Sequence, residues 1–114
     1  DGGQRKSYLL VDDCIDGIFA GLEASANIVE IFNVGSTDQV DVATIAKTVA
    51  DEMELREVHL RFKTEVEDGR GWTGDVRNML LDVSRLMRVG WSPHHSSLES
   101  VREATRRLIS ETAW

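Results

Sequence analysis

Apolar positions recur along the chain with helical and strand periods, and the changes of period mark its elements. Lys6 to Val11 (KSYLLV) follows the Gly2-Gly3 turn and combines Tyr, Leu and Val, which predicts an extended segment. Asp12 and Asp13 come next, either able to cap a helix whose stripe Ile15, Ile18, Phe19 and Leu22 lies on one face and which ends near Ser25. Ile28 to Val34 (IVEIFNV) is rich in β-branched and aromatic residues and stops at Gly35-Ser36-Thr37-Asp38, the pattern of a buried strand entering a turn. Asp41 is placed to cap a second helix with Val42, Ile45, Ala46, Val49 and Met53 as its inward stripe. Val58 to Val66 alternates apolar Val58, Leu60 and Phe62 with polar His59, Arg61 and Lys63, which predicts a strand with one wet face. Val76 to Leu81 fits a short strand or plain extended chain. A short helix holding Leu86 and Met87 is expected from Asp82 or Ser84, with Gly90 as its terminator and Pro93 just beyond. Ser96-Ser97-Leu98-Glu99 has the spacing of a capping box, opening a last helix that turns Leu98, Val101, Thr105, Leu108 and Ile109 inward.

Helices alternating with strands predict α/β packing, but with two clear strands against about four amphipathic helices. A parallel sheet needs several strands side by side and both faces covered, so this order suits the tail of a larger sheet better than a complete one.

Length and charge narrow the picture. At 114 residues the chain makes one domain-sized unit, too short for most two-domain enzymes. A net charge of −7 and a pI near 4.9 argue against broad attraction to nucleic acid or an anionic membrane. A phosphate ligand would have to be held locally. No apolar stretch reaches the roughly 18 to 20 residues of a membrane span, and no start resembles a signal peptide, so the cytoplasm is the expected compartment. The opening Asp1-Gly2-Gly3, inside a turn and without Met, is what a piece of a longer chain would show. Cys14 stands alone, which rules out an internal disulfide, and is expected in the core.

The segment "GRGWTGDVR", Gly69 to Arg77, is the best candidate for chemistry. Glycines let backbone N–H groups approach a ligand, Arg70 and Arg77 can fork onto phosphate, and Trp72 can stack on a base or pack on a sugar. The plainer alternative makes the glycines a tight turn, Trp72 a cover for the core and Asp75 a turn cap. Arg5-Lys6 is a second basic spot. Gly35-Ser36-Thr37 lacks the Lys of a P-loop. His94-His95 fits a solvated loop better than a metal site, having no acidic or Cys partner at suitable spacing. Asp16, Glu23 and Glu30 fall on solvated positions, His59 on the polar face of a strand, and no triad or acid/base pair declares itself.

Taken in order, three stretches resemble the C-terminal part of the extended short-chain dehydrogenase/reductases, the NAD-dependent nucleotide-sugar epimerases and dehydratases. "DGGQRKSYLLVDDCIDGIFAGLE" resembles the family's G-D-G-x-Q turn and Arg ahead of Y/F-x-x-V-x-D and a helix. "EIFNVGSTDQVDVATIAKTV" is similar to its last Rossmann-side strand and the helix after it. "GWTGDVRNMLLDVSRLMRVGWSP" is similar to its G-D-x-R and L-G-W-x-P segment. The match covers nearly the whole chain.

This resemblance implies a Rossmann-type fold of which residues 1–114 are the substrate-binding portion, incomplete relative to the family. It implies a nucleotide-sugar ligand, with Arg5 on the diphosphate and Arg70 or Arg77 as the second contact, because Trp72 stands where many members carry that Arg. Trp72 and Asp75 complete the candidate substrate-binding set. Lys6 replaces an acidic residue common at its position, Asn33 and Gly35 would close the strand end, and Asp12 or Asp13 would cap a helix. NAD belongs to the complete family enzyme and is not expected on this chain alone, which lacks the Gly-rich dinucleotide turn. The family's Tyr-x-x-x-Lys pair is also missing: Tyr8 is the only tyrosine and Asp12 stands four positions on. No catalytic residue and no metal ligand is therefore assigned. The rival expectation is a non-catalytic binding or scaffold protein derived from such an enzyme, burying its apolar faces as a homodimer.

Overall fold

The computed structural model describes residues 2–63 and 70–112. Seven elements follow in order: β1 (Arg5–Lys6), α1 (Val11–Ala24), β2 (Val40–Asp41), α2 (Val42–Glu52), β3 (Asn78–Met79), α3 (Ser84–Arg88) and α4 (Ser97–Glu111). The fold is α/β, as the alternation of elements predicts. Its sheet is small, ordered β2-β1-β3, with β1 antiparallel to β2 and parallel to β3. Arg5 stands opposite Asp41 and Asn78, Lys6 opposite Val40 and Met79.

Two of the expected strands do not form. Ile28 to Val34 pairs with no strand among the described residues, and Ile28, Val29 and Ile31 are exposed. Side chains meet its polar groups instead: Arg85 Nη1 donates to the Ile31 carbonyl at 3.0 Å, and Asn33 Nδ2 donates to the Asp82 carbonyl at 2.9 Å. Glu30 is not a solvated carboxylate, since Arg85 Nη2 lies 3.0 Å from it. In the second expected strand, residues 58–63 form no ladder, and Thr64 to Val66 lie outside the described residues.

Helix starts follow local chemistry where a short side chain reaches the first turn. Asp41 caps α2, accepting from Thr44 N and Thr44 Oγ1 at 2.8 Å each. Ser96 and Glu99 close the expected capping box on α4. Gly90, at φ +97°, ends the turn after α3 in a conformation that other residues adopt at a cost. Helix α1 breaks the pattern. Leu10 occupies its N-cap without a side-chain bond, and neither Asp12 nor Asp13 serves as the cap.

The inward face of α1 also differs from expectation. Ile15, Ile18, Phe19 and Leu22 all face out, Leu22 at 68% exposure, while the buried positions are Asp13, Gly17 and Gly21. An ideal Cβ on Gly17 would stand 2.7 Å from Val34 Cγ1 and 3.0 Å from Trp91 Cζ2, and one on Gly21 3.3 Å from Phe32 Cδ2. The two glycines make a groove into which the 32–34 segment, Trp91 and Leu86 pack. Leu10, Val83, Leu86 and Trp91 complete this core, whereas Cys14 is only partly buried. On the other side α2 packs on α4: Thr48, Ala50 and Thr105 are buried and Glu52 takes Arg106 at 2.7 Å, but Val42, Met53 and Leu108 of the expected stripes are exposed.

Candidate functional site: a basic loop pinned to the central strand

Arg5 and Lys6 lie on β1, Arg77 is bonded to it through its backbone carbonyl, and Arg70 adjoins Gly71, whose amide reaches Asp75. Arg5 N donates to the Arg77 carbonyl at 2.8 Å, the first link of the parallel pairing of β1 with β3. Successive strand residues point to opposite faces, so Arg5 shares its face with Asp41 and Lys6 takes the other. Arg5 is exposed, and its charge contributes, after the hydrogen bonds from Thr44, to holding the Asp41 carboxyl below the usual range.

Lys6, whose role the sequence leaves open, ties the loop down. Its Nζ lies 2.8 Å from Asp75 Oδ1 and 5.3 Å from the centroid of the Trp72 ring. Asp75 Oδ2 accepts from Gly71 N at 3.2 Å, and Asp75 N donates to the Trp72 carbonyl at 3.1 Å, closing the turn. The Lys6 hydrogen bond, helped by Gly71, outweighs desolvation and holds the Asp75 carboxyl below the usual carboxylate range. Asp75 is thus a buried, satisfied anion beneath the loop, while Trp72 is more than half exposed above it. Arg70 adjoins Gly71, and Arg77 follows Asp75 by two residues. Gly69, which opens the motif, lies outside the described residues.

The structure therefore brings Trp72 and Asp75 onto Lys6, and the backbone of Arg77 onto that of Arg5. A diphosphate's oxygens accept forked, charge-assisted bonds from guanidinium groups, the chemistry that Arg5, Arg70 and Arg77 carry.

A second cluster escaped the sequence. Asp13, 1% exposed, accepts from His95 N at 3.0 Å and lies 3.1 Å from Nδ1 of both His94 and His95. These histidines are not a plain solvated loop, although His94 projects largely into solvent. Burial pushes the Asp13 carboxyl up, but the hydrogen bonds from His95 and His94 outweigh it and hold it below the ordinary 3.8. More than eighty positions separate the partners, and neither carries a local signal of the contact. A third network fills the 35–38 turn: Ser97 N donates to Asp38 Oδ1 at 2.8 Å, Ser36 Oγ donates to the same atom at 2.7 Å, and Tyr8 N donates to Ser97 Oγ at 3.0 Å. Ser36 and Ser97 are fully buried, so this turn anchors α4 and offers no phosphate cradle.

The longer helices do not suit a dinucleotide pyrophosphate. Asp12 and Asp13 sit in the first turn of α1, Asp41 caps α2 and Glu99 lies in the first turn of α4, and each carboxylate opposes an anion there. Among the described residues no group of three or more His, Cys, Asp or Glu could hold a metal ion, and no helix is long and apolar enough to cross a membrane.

No family model matches the chain. It is 26% identical over 112 residues to a dTDP-L-rhamnose 4-epimerase of Burkholderia thailandensis, covering 97% of this chain and 29% of that protein. Among solved structures it resembles a UDP-galactose 4-epimerase at 35% identity and a TM-score of 0.76, over 97% of this chain and 35% of that one. It also resembles the UDP-glucuronic acid 4-epimerase of Bacillus cereus, solved with UDP-glucuronic acid and NAD, at 25% identity and a TM-score of 0.69, over 95% of this chain and 34% of that one. The relatives and structural neighbours are NAD-dependent nucleotide-sugar epimerases and dehydratases of Rossmann type. The chain spans about a third of their length, consistent with a C-terminal portion.

Proposed function

We propose that this chain is the nucleotide-sugar-binding portion of an NAD-dependent epimerase or dehydratase, with the dinucleotide site and the acid/base residues supplied by sequence outside it. The observation that carries the reading is the basic loop held against β1, in a chain that resembles such enzymes from end to end. Arg5 and either Arg70 or Arg77 bind the diphosphate, and Trp72 packs against the base or the sugar. Asp75 acts from beneath the loop. The apolar outer face of α1 and the unpaired 28–34 segment support the same reading, because a large exposed apolar surface marks a docking face. NAD, when bound in the complete enzyme, supplies hydride chemistry; this chain's own residues bind and orient the substrate.

The test is calorimetric titration of the chain with UDP-glucose. Arg5→Ala is expected to weaken binding about tenfold or more, the scale of a lost charge-assisted contact. Arg70→Ala and Arg77→Ala, measured separately, identify the second contact by which of them costs as much. Affinity unchanged in all three overturns the assignment.

A further inference from the structure

We propose that Lys6 and Asp75 are a positioning pair: they hold the Gly71–Asp75 turn against β1 and so fix where the arginines meet a diphosphate. This inference rests on the diphosphate reading and deepens it.

The geometry holds Lys6 on two sides. Its ammonium is clamped between the Asp75 carboxylate at 2.8 Å and the Trp72 ring at 5.3 Å, and the paired side chains are 25% and 2% exposed. A lysine whose charge already meets a buried carboxylate has little left for a ligand. Asp75, in turn, divides its two oxygens between β1 and the turn: Oδ1 takes Lys6 and Oδ2 takes Gly71 N. That backbone amide belongs to the residue after Arg70, and the Arg77 carbonyl is bonded to Arg5 N. All three arginines thus lie within two residues of one knot. Gly71 and Gly74 leave the turn few conformational restraints of its own, so the ion pair supplies them.

Electrostatics alone and positioning predict opposite signs for one substitution. Asp75→Asn removes a negative charge beside an anion site, so a purely electrostatic role predicts tighter binding of UDP-glucose. If Asp75 positions the loop, the same change weakens binding by about tenfold, the scale of a misplaced contact. Lys6→Met is expected to weaken binding comparably, and Lys6→Arg, which keeps the charge pair, to stay within about threefold of wild type. Urea unfolding of each variant separates loss of fold from loss of site. Binding equal or tighter in folded Asp75→Asn overturns the proposal. Should that variant fail to fold, equal affinities of Lys6→Arg and Lys6→Met overturn it instead. Weak binding in Lys6→Met beside tight binding in Asp75→Asn would make Lys6 a direct contact and also overturn it. If folded wild-type chain takes up no UDP-glucose, the diphosphate reading itself fails and this inference falls with it.

Discussion

The 70–77 loop and helix α1 each bury one satisfied carboxylate and turn apolar side chains outward, and they differ in what covers those side chains. In the loop, a buried carboxylate is met by a lysine and a backbone amide, and an exposed tryptophan lies above it. In α1, a buried carboxylate is met by two histidines, yet the large apolar residues of the same helix face outward and glycines take the packed positions. The loop finds its partner, β1, inside the chain. The outer face of α1 finds none among the described residues, and the side chains of Ile28, Val29 and Ile31 are exposed as well. An apolar stripe identifies a face that needs cover; it does not say which molecule or segment provides it.

The largest expected effect tests the packed side of α1. Gly17→Val would drive a side chain into Val34 and Trp91, where even a Cβ has 2.7 Å and 3.0 Å. We expect a loss of about 3 kcal/mol in urea unfolding, the upper part of the usual cost of overpacking. A loss below about 0.5 kcal/mol, as at surface sites, would mean that α1 packs through another face.

Next comes Asp13. Asp13→Ala strips acceptors from the His95 amide and two imidazoles, and a cost of about 2 kcal/mol is expected for bonds to a charged group. The pH dependence has a definite sign. A carboxyl depressed below 3.8 in the folded state contributes stability that is present above 3.8 and is lost as pH falls through its folded value. Wild type should therefore lose stability on the acid side of 3.8, and Asp13→Ala should show a shallower acid limb. Parallel limbs in the two proteins would show that Asp13 is not a source of the acid sensitivity.

The smallest effect sharpens the comparison most. Phe19→Ser with Leu22→Ser on the open face should change stability by no more than about 0.5 kcal/mol, and should reduce any self-association seen by light scattering. A loss of 2 kcal/mol or more, dependent on protein concentration, would mean that a second copy covers this face in solution. That outcome favours the binding or scaffold alternative.

Local signals were legible at α2 and α4, where one short segment contains both partners of the cap. Asp41 and Thr44 are three residues apart, as are Ser96 and Glu99, and both caps form as their spacing predicts. Gly90 terminates its turn for the same reason. The strands expected at 28–34 and 58–63 were misjudged because β-propensity measures fit to a pleated, half-buried surface, and a sheet neighbour must also be present. Ile28 to Val34 has the composition without the neighbour, while Arg5–Lys6 has neighbours despite its polar composition and β3 forms inside the expected Val76 to Leu81 segment beside β1. Of the candidate site, the arginines and Trp72 were visible as residue types around glycines. The role of Asp75 was not, because its partner Lys6 lies 69 positions away.

The sequence by itself determined the helices, the caps of α2 and α4 and the set of cations, since each depends on interactions within a few residues. Only the tertiary structure decided which face of α1 is buried, which segments pair, and that Lys6 belongs to Asp75. Those outcomes depend on what approaches from far along the chain, and at Gly17 and Gly21 the absence of a side chain decides how closely it approaches.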